Sequence, residues 1–266
     1  MPAQDVLLIH GTWSNAKAWD EFGPELTARG FTVHAPDLPE HGDAHDIDVQ
    51  ACAQRVAKLG LRDYVDFLKG LVEKMDTPPL IVGHSLGGLI AQLLAQEVPN
   101  RGQILIGTAP AAGIFAQYPT TTKVWSRYTL TWLRSKPMFP ISKKPWNEYI
   151  VNSLPRDKAD EMYTQLCAES GTVYRQMAFY FTDRTHAATV HFDTITTPVL
   201  LLAGELDKCC VPPMIKATAK KYGDRATYRE VAGSCHQMTV APNLPKTMDF
   251  VDEWLAANRI TAETTA

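Results

Sequence analysis

The sequence predicts an α/β protein built on a mainly parallel sheet with helices on both faces, and three observations support this. Short apolar runs alternate with stretches of helical periodicity up to about residue 110. Residues 111–193 then show only helical patterns and loops, rich in large apolar side chains, and the alternation resumes at Pro198. Strands that alternate with helices are joined by right-handed crossovers and run parallel. We therefore predict one core, residues 1–110 and 194–266, with a helical insertion at 111–193.

Individual elements follow from the same patterns. Apolar runs predict strands at Val6–Ile9, Phe31–Ala35, Leu80–Val82, Gln103–Ile106, Pro198–Leu202 and Ala226–Val231. Helical spacing predicts core helices around Trp19–Leu26, Leu61–Met75, Leu86–Val98 and Met248–Leu255, and insertion helices around Val124–Leu133, Ala159–Leu166 and Val173–Phe181. The small, polar stretch Arg259–Ala266 is expected to fray.

The most informative motif is Gly83-His84-Ser85-Leu86-Gly87, which lies between a predicted strand and a predicted helix. A serine at a strand-to-helix turn, with a glycine two residues away on each side, is typical of a nucleophile elbow. The glycines allow a tight, strained turn that presents Ser85 Oγ at the head of the sheet. The Leu86 amide then lies at a helix N-terminus, where it can stabilise an oxyanion.

Three more loops follow predicted strands, at the sheet edge where active residues gather in parallel sheets. After the first strand, Gly11 permits a sharp turn, and the Thr12 amide (the Trp13 amide next best) can supply a second oxyanion donor. Asp207 follows the fifth strand and His236 follows the last. A serine nucleophile needs a base, and the base needs an orienting carboxylate. Ser85, Asp207 and His236 supply these groups in the order Ser…Asp…His.

Other residues compete for two of these roles. Glu205, Asp183 and Asp193 are alternative carboxylates, and His191 is an alternative base. His10 and His84 are expected to pack or to bond to the backbone.

These motifs resemble the pattern of α/β-hydrolase fold serine hydrolases of the esterase and lipase type with a helical cap, over nearly the whole chain. His10-Gly11, the elbow, Gly204-x-x-Asp207 and His236 carry the resemblance. Ala35–Gly42 carries it too, although Glu40 stands where the family usually has glycine. The first strand here is similar to the family's third. The resemblance therefore implies a reduced sheet of about six strands, with residues 111–193 as the cap over the active site.

The resemblance implies acyl transfer to Ser85, with His236 moving the proton, Asp207 fixing its tautomer, and the Thr12 and Leu86 amides holding the oxyanion. It implies cleavage of a carboxylic ester of a small-to-medium apolar substrate, with no metal and no organic cofactor. Thioesterase, lactonase, carbon–carbon bond hydrolase and cofactor-free perhydrolase chemistry use the same triad and stay open. So does a hydrolase-like small-molecule receptor or signalling protein with slow turnover.

Three other enzyme classes of this fold are disfavoured by single residues. Haloalkane dehalogenases and epoxide hydrolases need an aspartate nucleophile, which Ser85 is not. Hydroxynitrile lyases have a lysine directly after the histidine, where this chain has Gln237.

Aromatic residues are candidates for an apolar substrate pocket. We select Trp13, Trp125, Tyr128 and Trp132 as substrate-binding residues. Aromatic side chains in the insertion serve equally well to pack it onto the core, because periodicity does not show which face turns towards Ser85.

Composition argues against two classes of partner. The net charge is -3, from 26 basic and 29 acidic residues, with no block of lysine and arginine, so a nucleic-acid partner is not expected. No segment approaches the roughly 20 apolar residues of a membrane helix. The first residues lack the basic and apolar regions of a signal peptide, so we expect a cytoplasmic protein. The oligomeric state is not indicated.

The five cysteines do not predict a disulfide framework, because their number is odd and the chain is of ordinary size. Cys209, Cys210 and Cys235 would form a redox-sensitive cluster if their loops meet, and buried inert thiols are the favoured alternative. The ligand types in His41–Asp46 would suit a metal, but a solvated loop is the simpler interpretation.

Overall fold

The computed structural model describes residues 4–42 and 49–262, and its centre is a parallel sheet. In chain order, the strands are β1 (Asp5–Ile9), β2 (Thr32–His34), β3 (Leu80–His84), β4 (Gly102–Ile106), β5 (Pro137–Met138), β6 (Glu169–Ser170), β7 (Val199–Gly204) and β8 (Ala226–Val231). Six of them form one sheet in the order β2-β1-β3-β4-β7-β8, with every neighbouring pair parallel. The predicted sheet of about six strands is confirmed.

Helices follow most of the strands. They are α1 (Phe22–Ala28), α2 (Val49–Val56), α3 (Leu61–Val72), α4 (Leu86–Ala95), α5 (Pro119–Trp125), α6 (Thr129–Leu133), α7 (Lys143–Pro145), α8 (Arg156–Thr164), α9 (Gly171–Ala178), α10 (Pro212–Tyr222) and α11 (Leu244–Ala257). Single turns of 3₁₀-helix occur at Ala16–Trp19, Ser126–Tyr128, Tyr180–Thr182 and Gly223–Arg225, and a π-helix occurs at Trp146–Ile150.

The central strands are buried on both faces, because alternate side chains of a strand point in opposite directions. On β1, Leu7 and Ile9 join a cluster that contains the apolar sides of α3, α4 and α10. Val6 and Leu8 join the opposite cluster, which contains the buried side chains of α1 and α11. The sheet is therefore covered by helices on both faces, as predicted.

Between β4 and β7 the chain forms α5 to α9 and the short antiparallel pair β5–β6. The described residues of this stretch contribute no strand to the central sheet. Buried side chains of the stretch, among them Val124, Trp132 and Val173, join the α3–α4–α10 cluster. The predicted helices of residues 111–193 are present, whereas the β5–β6 pairing was not predicted.

A buried polar network ties this stretch to the core. The Glu169 carboxylate accepts hydrogen bonds from the Tyr64 hydroxyl at 2.8 Å and the Ser170 amide at 2.7 Å, and His41 Nε2 lies 3.2 Å from it. His41 and Glu169 are both fully buried. Burial lowers the pKa of His41, but the Glu169 charge and hydrogen bond outweigh it and leave the pKa raised.

No helix of the described residues is long and apolar enough to cross a membrane. Within the frayed terminus expected from sequence, residues 263–266 lie outside the described residues.

Candidate active site

The turn between β3 and α4 places Ser85 in a strained conformation at the head of the sheet. Its φ of 54° and ψ of -120° lie in a backbone region that residues other than glycine rarely adopt. The flanking glycines explain how the turn fits. A Cβ on Gly83 would lie 2.2 Å from the Gly87 carbonyl oxygen, and a Cβ on Gly87 would lie 2.1 Å from the Ile9 carbonyl oxygen. The elbow geometry expected from the sequence is present.

Asp207 and His236 form a buried pair on the loops after β7 and β8. His236 Nδ1 lies 2.7 Å from Asp207 Oδ2, and the ring donates this bond because a carboxylate only accepts. Asp207 Oδ1 accepts from the amides of Cys209 at 2.7 Å and Cys210 at 2.9 Å. Both carboxylate oxygens are occupied, so the neutral form of the imidazole is held with its proton on Nδ1 and with Nε2 left to accept.

The pKa of His236 reflects opposing effects. Burial of the ring disfavours the charged form and lowers the pKa, whereas the Asp207 charge, the nearby Cys209 and the bond to Asp207 raise it. The balance raises the pKa of His236 to about 9. A base of this strength in the folded protein depends on Asp207.

The competing acids and base lie elsewhere. Glu205 is exposed and accepts from the Gly233 amide, and Asp183 binds Thr185 and the Ala187 amide in its own turn. Asp193 and His191 are exposed. Among the described residues, Asp207 is the carboxylate that His236 contacts.

Ser85 and His236 line the same cavity. The His236 ring packs 4.7 Å, centroid to centroid, from the ring of His84, the neighbour of Ser85. Within the described chain the His236 side chain makes one hydrogen bond, to Asp207, and none to Ser85. The neighbouring Cys209, burial and Asp207 raise the pKa of the Cys210 thiol, and Ser85 opposes this shift.

The loop after β1 lies directly against the elbow. A Cβ on Gly11 would lie 2.9 Å from Ser85 Cβ and 3.0 Å from the His84 carbonyl oxygen, so this position needs glycine. The next amide is that of Thr12, and the Leu86 amide begins α4. Neither amide has a hydrogen-bond acceptor among residues 4–42 and 49–262. Two unbonded N–H groups beside a serine provide donors for an oxyanion.

Residues from the insertion hold this loop in place. The Tyr174 hydroxyl lies 2.6 Å from Thr12 Oγ1, and the Cys167 amide donates to the Trp13 carbonyl at 2.8 Å. The Trp13 indole donates to the Met138 carbonyl at 2.9 Å. Trp13 has a φ of 61°, a strained value that these contacts stabilise. Sequence reasoning missed Tyr174, because a pairing across 162 residues leaves no local pattern.

Two cavities meet at Ser85. The smaller, about 110 Å³, is also lined by Trp146, Met162 and His236, and its lining includes charged residues such as Glu21 and Lys158. The larger, about 530 Å³, has a mainly apolar lining that includes Ile114, Trp125, Trp132, Tyr174, Met177 and Met214. Trp125 and Cys209 line both cavities.

The four aromatic residues selected from the sequence lie close together but have different surroundings. Trp13 lines the smaller cavity, Trp132 lines the larger and Trp125 lines both. Tyr128 lines neither of them. It packs on Trp13 at 5.6 Å between ring centroids and donates to the Phe139 carbonyl at 2.9 Å.

His10 and His84 are buried supports. His10 Nδ1 bonds to the Gly11 carbonyl, and its Nε2 accepts from the Leu38 amide at 3.0 Å. His84 Nε2 bonds to the His236 carbonyl at 3.0 Å. Burial is the main cause that lowers the pKa of each to about 3, so both rings are neutral at neutral pH.

All five cysteines are buried and free. Cys209, Cys210 and His236 have their ligand atoms within 4.8 Å of one another. Cys235 is outside this group, and its sulfur accepts from Asn243 Nδ2 at 3.7 Å. Of the stretch His41–Asp46 considered as a metal site, His41 bonds to Pro39 and Glu169, and residues 43–46 lie outside the described residues.

Comparison of the sequence with known proteins shows the family to which this chain belongs. The model of the alpha/beta hydrolase family matches residues 6–244. The chain belongs to the alpha/beta hydrolase family.

Similarity to individual members is partial. A stretch of 103 residues is 32% identical to pyrethroid hydrolase from Sphingobium wenxiniae, covering 38% of this chain and 34% of that protein. Another of 119 residues is 38% identical to pimeloyl-[acyl-carrier protein] methyl ester esterase from Neisseria meningitidis, covering 43% of this chain and 33% of that protein. The chain thus spans about a third of the length of these curated relatives.

A solved structure matches over the full length. The methylesterase MES16 from Arabidopsis superposes with a TM-score of 0.69 over 97% of this chain and 100% of that chain, at 14% identity. This likeness concerns the fold.

A single-residue departure from the motif in Ala35–Gly42 has a conformational cost. Glu40 takes the place of the usual glycine and has a φ of 66°, where glycine is favoured. Its carboxylate accepts from Arg55 Nε at 2.8 Å, a contact that glycine could not make.

Proposed function

We propose that this alpha/beta hydrolase is a serine esterase that cleaves carboxylic esters of small-to-medium apolar substrates through an acyl-enzyme on Ser85. The observation that carries the proposal is the buried Asp207–His236 pair facing a cavity that Ser85 also lines. A base oriented by a carboxylate beside a serine on a strained elbow is the arrangement that serine hydrolysis requires.

Acylation begins with transfer of the Ser85 hydroxyl proton to His236 Nε2. His236 makes no hydrogen bond to Ser85 among the described residues, so this step requires the hydroxyl to turn towards the ring, a change in keeping with catalytic hydrogen bonds that form only when substrate is bound. As the proton leaves, Ser85 Oγ bonds to the carbonyl carbon and the carbonyl oxygen becomes an oxyanion held by the Thr12 and Leu86 amides. The bond to the alcohol oxygen then breaks, and His236 returns the proton to that oxygen.

Deacylation repeats the cycle with water. His236 Nε2 takes a proton from water, and the resulting hydroxide oxygen bonds to the acyl carbon. The bond to Ser85 Oγ breaks, and the proton returns to Ser85 while the acid leaves. Removing one oxyanion donor from such a site typically costs about 10²–10³ in turnover.

The two cavities suggest where the acyl and alcohol parts of the ester bind. The larger apolar cavity of about 530 Å³ suits the acyl group. The smaller cavity of about 110 Å³ suits a small alcohol, and its charged lining offers a polar route for alcohol and water. The name of one relative, a methyl ester esterase, agrees with a small alcohol. We propose residues 111–193 as the cap, since they supply most of the lining of the larger cavity.

A panel of esters tests the proposal. Hydrolysis is measured for p-nitrophenyl and methyl esters of increasing acyl length, together with a thioester and a lactone, in the wild type and Ser85→Ala. We expect turnover on methyl esters with medium apolar acyl groups and loss of it in Ser85→Ala. A matched control is Ser234→Ala, which removes a buried hydroxyl with no hydrogen-bond partner in the described chain and away from both cavities.

Two results would count against the proposal. Turnover below about 10⁻² s⁻¹ on every ester, far under the usual enzyme range, would favour a receptor. A Ser85→Ala variant as active as the wild type would remove Ser85 as the nucleophile.

A further inference from the structure

Two thiols lie beside the imidazole of the proposed active site, and the esterase mechanism uses neither. Cys209 Sγ, Cys210 Sγ and a ring nitrogen of His236 lie within 4.8 Å of one another, and all three residues are buried. Their adjacency follows from the loop geometry: both cysteine amides bind Asp207 Oδ1, while Asp207 Oδ2 binds the ring.

Two thiolates and one imidazole are a donor set that favours Zn²⁺ among the common divalent ions. Tetrahedral zinc, with Zn–S near 2.3 Å and Zn–N about 2.0–2.1 Å, needs ligand atoms roughly 3.5–3.8 Å apart. The present separations stay within 4.8 Å, so small side-chain rotations bring the three atoms to that spacing.

The surroundings of the cluster also suit a metal. Zinc-binding histidines usually donate their second ring nitrogen to a carboxylate, which fixes the ring, and His236 Nδ1 already does so to Asp207 at 2.7 Å. The Cys209 carbonyl accepts from Thr121 Oγ1 at 3.0 Å, which fixes the loop. An ion can reach the cluster, because Cys209 lines both cavities, Cys210 lines the larger and His236 lines the smaller.

We propose that Cys209, Cys210 and His236 bind one Zn²⁺ in the substrate cavity and that the bound ion switches hydrolysis off. Binding displaces the two thiol protons and, below the His236 pKa of about 9, the proton on Nε2; all are released to solvent, and the Nε2 lone pair then binds the ion. Nε2 then has no lone pair to accept the Ser85 proton. Water or the Ser85 hydroxyl completes the fourth position. The proposal that zinc binds does not depend on the proposed esterase function, whereas the proposal that zinc stops hydrolysis does depend on that function.

The experiment measures binding and activity separately. Zinc per chain is determined by equilibrium dialysis of the full chain against Zn²⁺, and p-nitrophenyl ester hydrolysis is followed over the same concentrations. We expect one strongly bound Zn²⁺ per chain, hydrolysis that falls in proportion to occupancy, and recovery on adding a chelator. Cd²⁺ provides a second readout, because thiolate ligation gives an ultraviolet charge-transfer absorption that needs no activity.

Variants locate the site. In Cys209→Ser/Cys210→Ser we expect zinc affinity at least about tenfold weaker and no charge-transfer band, with inhibition measured relative to that variant's own rate. Cys235→Ser is the matched control, because it removes a buried thiol next to His236 in sequence but outside the cluster. It should bind Zn²⁺ and Cd²⁺ like the wild type.

Unchanged zinc affinity in the double variant, or no charge-transfer band in the wild type, would overturn the site. Full occupancy with undiminished hydrolysis would overturn the inhibition and leave the esterase proposal standing. A protein that hydrolyses no ester yet shows the band and loses it in the double variant would overturn the esterase proposal and keep the zinc site.

Discussion

Asp207→Asn isolates the tautomer that the proposed mechanism needs. Asp207 Oδ1 is held by the Cys209 and Cys210 amides at 2.7 and 2.9 Å, so an asparagine keeps its carbonyl oxygen there. Its amide nitrogen then faces His236 Nδ1 and can only donate. The ring must accept at Nδ1 and carry its proton on Nε2, where it cannot take the proton of Ser85.

The size of the effect follows from this reversal. In a serine triad the same change costs about 10⁴ in kcat, which is about 5.4 kcal/mol at 1.36 kcal/mol per tenfold. The pH profile should change as well. Burial lowers the pKa of His236 and Asp207 raises it, with a balance of about 9. In the wild type kcat/KM should therefore rise with pH up to that value. Without the carboxylate, the midpoint should move towards 6.5 or below.

The assay is kcat/KM for a p-nitrophenyl ester between about pH 5 and 10, with thermal unfolding as a check of the fold. Glu205→Gln is the matched control, because it changes an exposed carboxylate two residues away that binds only the Gly233 amide among the described residues. It should retain activity within about twofold, the scale of a lost exposed contact. An Asp207→Asn variant with more than a tenth of wild-type kcat, or with the wild-type midpoint, would refute the reasoning.

Three further changes test other parts of the structure. Gly87→Ala places a Cβ 2.1 Å from the carbonyl oxygen of Ile9, the last residue of β1, so the free energy of unfolding in urea should fall by more than about 4 kcal/mol. The control is Gly70→Ala in α3, where the added Cβ meets open space, and there the free energy of unfolding should rise by about 0.5–1 kcal/mol. The pKa of His84 is about 3 in the folded protein and 6.5 in the unfolded chain, so its contribution to stability is present above pH 6.5 and is lost as the pH falls towards 3. In His84→Gln this loss is absent. Between pH 6.5 and 3 the free energy of unfolding should therefore fall less steeply than in the wild type, by up to about 1.4 kcal/mol per pH unit. Tyr174→Phe removes the 2.6 Å contact to Thr12, so it should cost about 1 kcal/mol of stability and lower kcat about 2–10-fold under conditions where the variant is fully folded. An unchanged kcat would mean that the loop needs no support from the insertion.

The sheet could be predicted from sequence because its strands carry their own signal. β3, β4 and β7 are buried on both faces and appear as continuous apolar runs between turns. The elbow could be predicted for a related reason, since Gly83 and Gly87 mark a turn that no larger residue fits.

Two core helices escaped prediction. The buried positions of α2 include Cys52 and Ala53, and those of α10 include Thr218 and Ala219, small or polar residues that do not stand out in the sequence as core positions. Core packing, rather than the local pattern, decides these helices.

The detail of the site lies in contacts between distant segments. The grouping of Cys209 and Cys210 with His236, without Cys235, could not be predicted, because these residues lie on loops whose side-chain directions follow no regular pattern. The division of the pocket into two cavities likewise depends on how the insertion packs over β4 and α10, which the linear pattern does not specify.

The central claim is that Ser85 is a nucleophile activated by His236, and covalent trapping tests it most directly. The wild type is treated with a fluorophosphonate, digested and analysed by mass spectrometry. We predict one phosphonylated site, on the peptide that contains Ser85, formed far more slowly in Asp207→Asn. Labelling at another residue, or none in a folded protein, would contradict the account.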